Sequence, residues 1–223
     1  MIYIFDQNAG DEQLSIKGEN FKYLVKVRRH QVGDELAFRT QEEPTTLHKY
    51  KVISIEPRVL HLELLESSQT SAVPQKKLHL AWCVIDAKSV EKTLPFLCEL
   101  GVYRISFVFC QRSQKNFKVD FKRLERIVEA SMQQSGRDFF MEFDTYKDVE
   151  SFIKEYPDTV VFDFSNEVFS STDEVERVLI GCEGGFSVEE KEFLQTQRVL
   201  RLDTPMVLRS ETAAVAVASK ILL

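Results

Sequence analysis

The chain has 223 residues, 43% of them hydrophobic and 29% charged, with a formal net charge of −6. That is the composition of a folded protein with room for one large domain or two small ones, and seventeen Phe supply enough apolar area to exclude a disordered chain. Eight Gly, six Pro and the lack of any apolar run near 18 residues exclude collagen-like, low-complexity and helical membrane-spanning classes.

The first 70 residues read as β. IYIF (2–5), ELAF (35–38), KVISI (51–55) and VLHLELL (59–65) are short strands, with His61 and Glu63 alternating with apolar neighbours. FKYLVKV (21–27) fits either a short helix or a strand, and Gly33-Asp34 marks a turn. Strands at this spacing suggest a small barrel or sandwich. SSQTSAVPQ (67–75) is polar and aperiodic, the best linker candidate.

After residue 76 the rhythm changes. LHLAWCVI (78–85) is a strand; SVEKTLPFLCEL (89–100) is a helix closed by Gly101, which Pro95 must kink or shorten. RISFVF (104–109) is a buried strand. Asp120 caps a helix with Phe121, Leu124, Ile127, Val128 and Met132 on one face. DVESFIKEY (148–156) is helical, TVVFDF (159–164) and RVLI (177–180) are strands, SVEEKEFLQTQ (187–197) is a helix, RVLRL (198–202) a strand, and a helix from about Arg209 ends the chain. Strands alternating with helices imply an α/β domain with a mainly parallel sheet.

MIYIFDQNAGDEQ meets acidic residues too early for a signal peptide, so the cytoplasm is the expected compartment. Cys83, Cys98, Cys110 and Cys182 show no CxxC spacing and read as reduced thiols; the four His show no metal-ligand spacing. No metal is expected. Charge is unevenly placed. Residues 104–126 carry seven basic and two acidic residues, 17–29 five basic and one acidic, and 137–192 five basic and sixteen acidic. Solvated helix faces would explain any one run; two basic segments on an acidic body suit a polyanion partner.

Two segments could carry chemistry. In IGCEGGFSVEE (180–190), Gly181, Gly184 and Gly185 follow an apolar strand, and Ser187 with Glu190 forms a capping box that starts a helix. The loop is either a tight turn or a place where backbone N–H groups converge on a ligand at a strand end. It is neither GxGxxG nor a P-loop, and Asp-Ala-Lys after Ile85 argues against a dinucleotide site. In LDTPMVLRSETAAVAVASK (202–220), Ser210 suits an N-cap and Glu211 the helix dipole, but Arg209 is unfavourable there without a partner. The Ala-rich helix that follows suits a buried element or a self-association surface.

IGCEGGFS followed by VLRSETAA closely resembles the paired C-terminal motifs of the bacterial 16S ribosomal RNA uridine-N3 methyltransferases (RsmE-type), a branch of the SPOUT superfamily. LVKVRRHQVGDEL (24–36), CELGV (98–102), QRS (111–113) and QQSGR (133–137) match more weakly, in order. The chain departs from that pattern at Cys182 (usually Pro), Thr204 and Met206 (usually Gly-x-Arg), Gln133 (often Glu) and Phe96 (often Lys), and lacks an Arg near the N-terminus. The resemblance implies an α/β fold: a PUA-like β-barrel over 1–70 that binds RNA, then a SPOUT methyltransferase domain with a trefoil knot over 76–223. It further implies S-adenosylmethionine as cofactor, a homodimer, and 16S ribosomal RNA or the small ribosomal subunit as partner, with no membrane.

On this reading the loops at Leu179–Gly185 (Leu179, Gly181, Gly184, Gly185) and Leu202–Leu208 (Leu202, Val207, Leu208) hold the cofactor. Arg209 stabilises charge on the uracil ring or positions a phosphate, and Glu211 or Glu183 accepts the N3 proton or orients Arg209. Lys22, Lys26, Arg28, Arg29, Arg112, Lys115 and Arg137 contact RNA. The alternatives are a non-catalytic RNA-binding protein retaining the fold, to which Thr204 and Met206 point, and a nucleotide-dependent oxidoreductase, supported only by the generic α/β pattern.

Overall fold

A computed structural model of the chain describes residues 2–114, 118–170 and 173–223. Lys115 therefore lies outside the described residues. The chain divides into two units: one from the N-terminus to Val73 with Met132–Phe139, the other comprising Pro74–Ser131 and Phe140–Leu223.

The first unit is a five-stranded sheet built from Ile4–Phe5 (β1), Gln13–Ile16 (β2), Glu35–Arg39 (β3), Thr46–Ile55 (β4) and Leu60–Gln69 (β5). Its order is β1-β3-β4-β5-β2, with β1 parallel to β3 and the other neighbours antiparallel. Strand β2 went unread in the sequence because only Leu14 and Ile16 of its four residues are apolar and buried. The supposed linker is shorter than 67–75, since β5 pairs with β4 out to Gln69. FKYLVKV resolves as helix: Gly18–Phe21 (α1) runs into a π-helical turn, Lys22–Val27, which buries Phe21 and Leu24 in the sheet's core and leaves Lys22 and Lys26 exposed.

The second unit alternates strand and helix: His79–Cys83 (β6), Ala87–Leu100 (α2), Arg104–Val108 (β7), Phe121–Ser135 (α3), Glu142–Tyr146 (β8), Val149–Glu155 (α4), Val160–Phe162 (β9), Arg177–Ile180 (β10), Val188–Leu194 (α5), Val199–Leu200 (β11) and Ser210–Leu222 (α6). The last four residues of α3 group with the first unit. All six strands are parallel, in the order β11-β9-β10-β6-β7-β8. Every residue of β6 is buried, as a parallel strand covered on both faces requires. The edge strand β8 carries Glu142, Asp144 and Thr145, a polar pattern that hid it in the sequence; an edge tolerates such charge, and Glu142 pairs with Arg104 on β7.

Helix α2 begins where Asp86 accepts the Ser89 N–H at 3.0 Å and ends at Gly101, whose φ of 91° suits a left-handed cap. A Cβ at Gly101 would come within 2.2 Å of Pro74. The helix runs unbroken through Pro95, contrary to the expected shortening. Burial of Leu94, Leu97 and Cys98 holds that turn, and the Pro95 carbonyl accepts the Ser131 hydroxyl at 3.2 Å.

One buried group ties stability to pH. His79, at the start of β6, shares a hydrogen bond with Ser106 at 2.6 Å and packs against Phe152 and Tyr156. Burial, with the Arg177 and Arg104 charges nearby, pushes its pKa down to about 4. The unfolded chain binds a proton near pH 6.5 that the folded chain refuses, so this group's contribution is full above pH 6.5 and is lost as pH falls towards 4. The expected loss is on the order of 3 kcal/mol. Urea unfolding across that range checks it, and His79→Gln should flatten the profile.

Candidate active site

In a parallel sheet all strands end at one edge, and ligands bind where the strand order reverses. Here β7 and β8 follow β6 to one side, while β10, β9 and β11 lie on the other, so the reversal falls between β6 and β10. The glycine-rich segment starts at the end of β10.

Its geometry is set locally. The Gly185 N–H donates to the Cys182 carbonyl at 2.9 Å, and Gly185 has a φ of 64°, which a side chain would strain. The space where a Cβ would sit at Gly185 is open, with nothing within 4 Å. The expected capping box is present: Ser187 Oγ accepts the Glu190 N–H at 3.1 Å, and the Glu190 carboxylate accepts the Ser187 N–H at 2.8 Å. The same carboxylate accepts the Gln111 N–H at 2.8 Å, fastening the loop after β7 to the start of α5.

Ser210 joins the two motif segments. Its hydroxyl donates to the Gly181 carbonyl at 2.6 Å and accepts from Trp82 Nε1 at 2.8 Å. Strand β6, the glycine loop and the start of α6 are thereby held together by one buried side chain. Ser210 is thus not the N-cap expected from sequence. It is the first helical residue, and Arg209 occupies the N-cap position without a side-chain capping bond. Sequence reasoning missed this linkage; the available signal was the chain's only Trp, whose buried N–H must find an acceptor.

The other predicted residues fall as follows. Leu179 is buried within β10 between β6 and β9, so its side chain belongs to the core. Leu202 and Leu208 are half-buried, and Val207 is 77% exposed beside Met206 at 70%. The intervening turn is held by Thr204, whose N–H donates to the Leu202 carbonyl at 2.9 Å and whose Oγ1 accepts the Met206 N–H at 3.1 Å. The Arg209 side chain is 84% exposed and lies 4.0 Å from the half-buried Glu211 carboxylate, the partner its helix-end position calls for. Glu183 is exposed on the glycine loop.

The basic residues divide. Lys22, Lys26, Arg28 and Arg29 are exposed. Lys22 is 2.7 Å from Glu19, Arg28 donates to the Tyr23 hydroxyl at 2.7 Å, and Arg29 has a φ of 61°, uncommon for a non-glycine residue. Arg112 donates to the Gly184 carbonyl at 2.6 Å, so it braces the glycine loop. Arg137 differs from these: it is only 4% exposed, donates to the Phe139 carbonyl at 2.7 Å and stacks on the Phe139 ring, so it is held inside the first unit and not at its surface, where an RNA contact was expected.

Among the described residues no cluster of three or more His, Cys, Asp or Glu side chains could hold a metal ion, and no helix is long and apolar enough to cross a membrane.

A family model described as an RNA methyltransferase domain matches residues 72–222. The chain is 34% identical over 223 residues to ribosomal RNA small subunit methyltransferase E of Helicobacter pylori, with 98% of each chain covered. It is 27% identical over 227 residues to the protein of that name from Aquifex aeolicus, covering 98% of this chain and 97% of the other. Among solved structures it is similar to a methyltransferase from Legionella pneumophila in complex with the cofactor SAM (TM-score 0.78, 21% identity, 99% and 95% of the two chains). It is also similar to ribosomal RNA small subunit methyltransferase E of Neisseria gonorrhoeae bound to S-adenosyl methionine (TM-score 0.73, 18% identity, 98% and 95%).

Proposed function

Because the chain belongs to the ribosomal RNA small subunit methyltransferase E family, we propose that it is an S-adenosylmethionine-dependent enzyme that methylates N3 of one uridine in 16S ribosomal RNA. The observation that carries this reading is the Trp82–Ser210–Gly181 chain of hydrogen bonds, which brings both motif segments to the carboxyl edge of the sheet at its reversal point. Turnover is favoured over the binding-only alternative because the relatives are named as methyltransferases.

The residues present suit the cofactor. Open space at Gly185 leaves room for a ligand against bare backbone, and the uncovered apolar side chains of Met206 and Val207 suit an adenine face. Gly181, Gly184, Gly185, Leu202, Val207 and Leu208 would hold it, with the backbone of Leu179 at the rim. When bound, S-adenosylmethionine supplies an electrophilic methyl group on a sulfonium.

The chain's own residues have two tasks. The loops must hold the methyl donor in line with the uracil nitrogen, because alignment supplies much of the rate. The uridine N3–H must also be lost, since the protonated nitrogen has no free lone pair. Arg209, always charged and sited at a helix N-terminus, stabilises the resulting negative ring. Glu211 orients Arg209 from 4.0 Å, and Glu211 or Glu183 takes the proton.

The same reading makes the first unit a PUA-like barrel and gives the second unit a trefoil knot, in which the segment before α6 threads a loop. A homodimer is supported by Phe164, whose ring is left uncovered by the chain's own packing. A small-subunit RNA substrate would put the enzyme in the cytoplasm.

The decisive experiment is mass mapping of small-subunit RNA from cells lacking the protein. One lost methyl group on a uridine is expected, and an unchanged methylation map would discard the proposal. RNA affinity should fall steeply with salt; Lys26→Ala should weaken binding to all sequences alike and reduce the slope of log K against log salt by about 1. An unchanged slope would remove Lys26 from the RNA surface.

A further inference from the structure

Three thiols meet beneath the glycine loop. Cys83 ends β6, Cys110 follows β7 by two residues and Cys182 follows β10 by two; all three are free and buried. Cys110 Sγ and Cys182 Sγ lie 3.4 Å apart, and the Ser113 hydroxyl is 3.1 Å from Cys110 Sγ. Contact with Cys182, with Cys83 and Ser113 beside it, holds the Cys110 thiol below its ordinary range, while the same contact and burial push up the Cys182 thiol, which donates to the Gly185 carbonyl at 3.6 Å. Burial pushes Cys83 up, keeping it a protonated donor. Two sulfurs in contact at 3.4 Å, one of them held below its ordinary range, are the arrangement of a reactive cysteine beside a resolving one. A cavity of about 590 Å³, lined by Cys110, Gln111, Ser113, Lys147 and Glu189 and open to solvent, gives small molecules a route to Cys110.

We propose that Cys110 and Cys182 are a reversible redox pair: hydrogen peroxide joins their sulfurs, and the bond ties the glycine loop to the loop after β7 and lowers cofactor affinity. The effect on affinity rests on the cofactor site proposed above; the bond itself does not. The Cys110 thiolate attacks one peroxide oxygen, the O–O bond breaks, and a sulfenic acid forms while the other oxygen leaves as water after taking a proton. The Cys182 sulfur then attacks the sulfenic sulfur, the S–O bond breaks, and its hydroxyl leaves with the Cys182 proton as a second water. The peroxide is reduced by two electrons and the thiol pair is oxidised by two. A small thiol reverses the bond by exchange.

The bond matters for the loop because the two sulfurs must close by about 1.3 Å to reach the disulfide length. Cys182 Sγ lies 3.6 Å from the Gly185 carbonyl and Cys182 directly follows Gly181, whose carbonyl is held by Ser210, so that movement is drawn from the glycine turn.

The test uses the whole protein treated with hydrogen peroxide, then peptide mapping and calorimetric titration with S-adenosylmethionine before and after dithiothreitol. The expected result is a Cys110–Cys182 cross-linked peptide lighter by two hydrogens and a roughly tenfold weaker affinity, restored by the reductant. Cys110→Ser and Cys182→Ser should each lose the response and Cys98→Ser should keep it. Peroxide that leaves Cys110 oxidised without a cross-link, or a cross-link that leaves affinity unchanged, overturns the proposal. Reduced protein that fails to bind S-adenosylmethionine overturns the cofactor site instead, and the peptide map still decides the bond.

Discussion

Replacing Arg209 by alanine is expected to lower kcat by about 10²–10³-fold while leaving S-adenosylmethionine affinity nearly intact. The side chain is 84% exposed and makes no capping bond, so the fold does not depend on it. It sits one residue from Ser210, which is hydrogen-bonded to the glycine loop, and so stands beside the proposed methyl-transfer site. Charge develops on the uracil ring only as the N3 proton leaves, so an interaction with that charge is worth most in the transition state and should register in kcat. Arg209→Lys should recover part of the rate if charge alone matters and little if a planar, two-pronged contact is needed. Single-turnover rates and calorimetry separate the two effects; full turnover in the alanine variant would remove Arg209 from the chemistry.

Ser210→Ala should cost about 1–3 kcal/mol for the buried Trp82 indole N–H it strands, and less for the part-buried Gly181 carbonyl. The variant should unfold at lower denaturant concentration and bind S-adenosylmethionine more weakly, because the freed carbonyl loosens the glycine loop. Trp82→Phe leaves the bond from Ser210 to Gly181 in place, so it should cost stability through lost packing while sparing cofactor affinity more than Ser210→Ala does. Equal losses of affinity in both variants would show that the indole, and not the Ser210–Gly181 contact, sets the loop.

Much of this protein was readable from local chemistry. Apolar runs and caps located most elements of the second unit, RVLI with its own boundaries, because a strand buried on both faces has no polar positions to confuse the pattern. The capping box at Ser187 and Glu190 and the cap at Asp120, whose carboxylate accepts the Arg123 N–H at 3.1 Å, depend on three consecutive peptide units, so spacing alone can specify them. Although the glycine loop and the Arg209–Glu211 pair stood out as chemistry, neither could reveal which buried atom joined them.

The remainder was settled by contacts distant in sequence. Strand β8 takes its place through its ladder with β7 and the pairing of its Glu142 with Arg104, not through any apolar run of its own, and Pro95 stays inside α2 because packing outweighs its local penalty. Arg137, expected among the RNA contacts, is buried against the ring of Phe139. Ser210 was read as a cap until Gly181, 29 positions away, turned it into a tie. Hydrophobic period and capping are written over a few neighbouring residues. The partner of a buried polar group is chosen by whichever distant strand end arrives beside it, because a buried donor or acceptor must be satisfied from wherever the fold can supply a match.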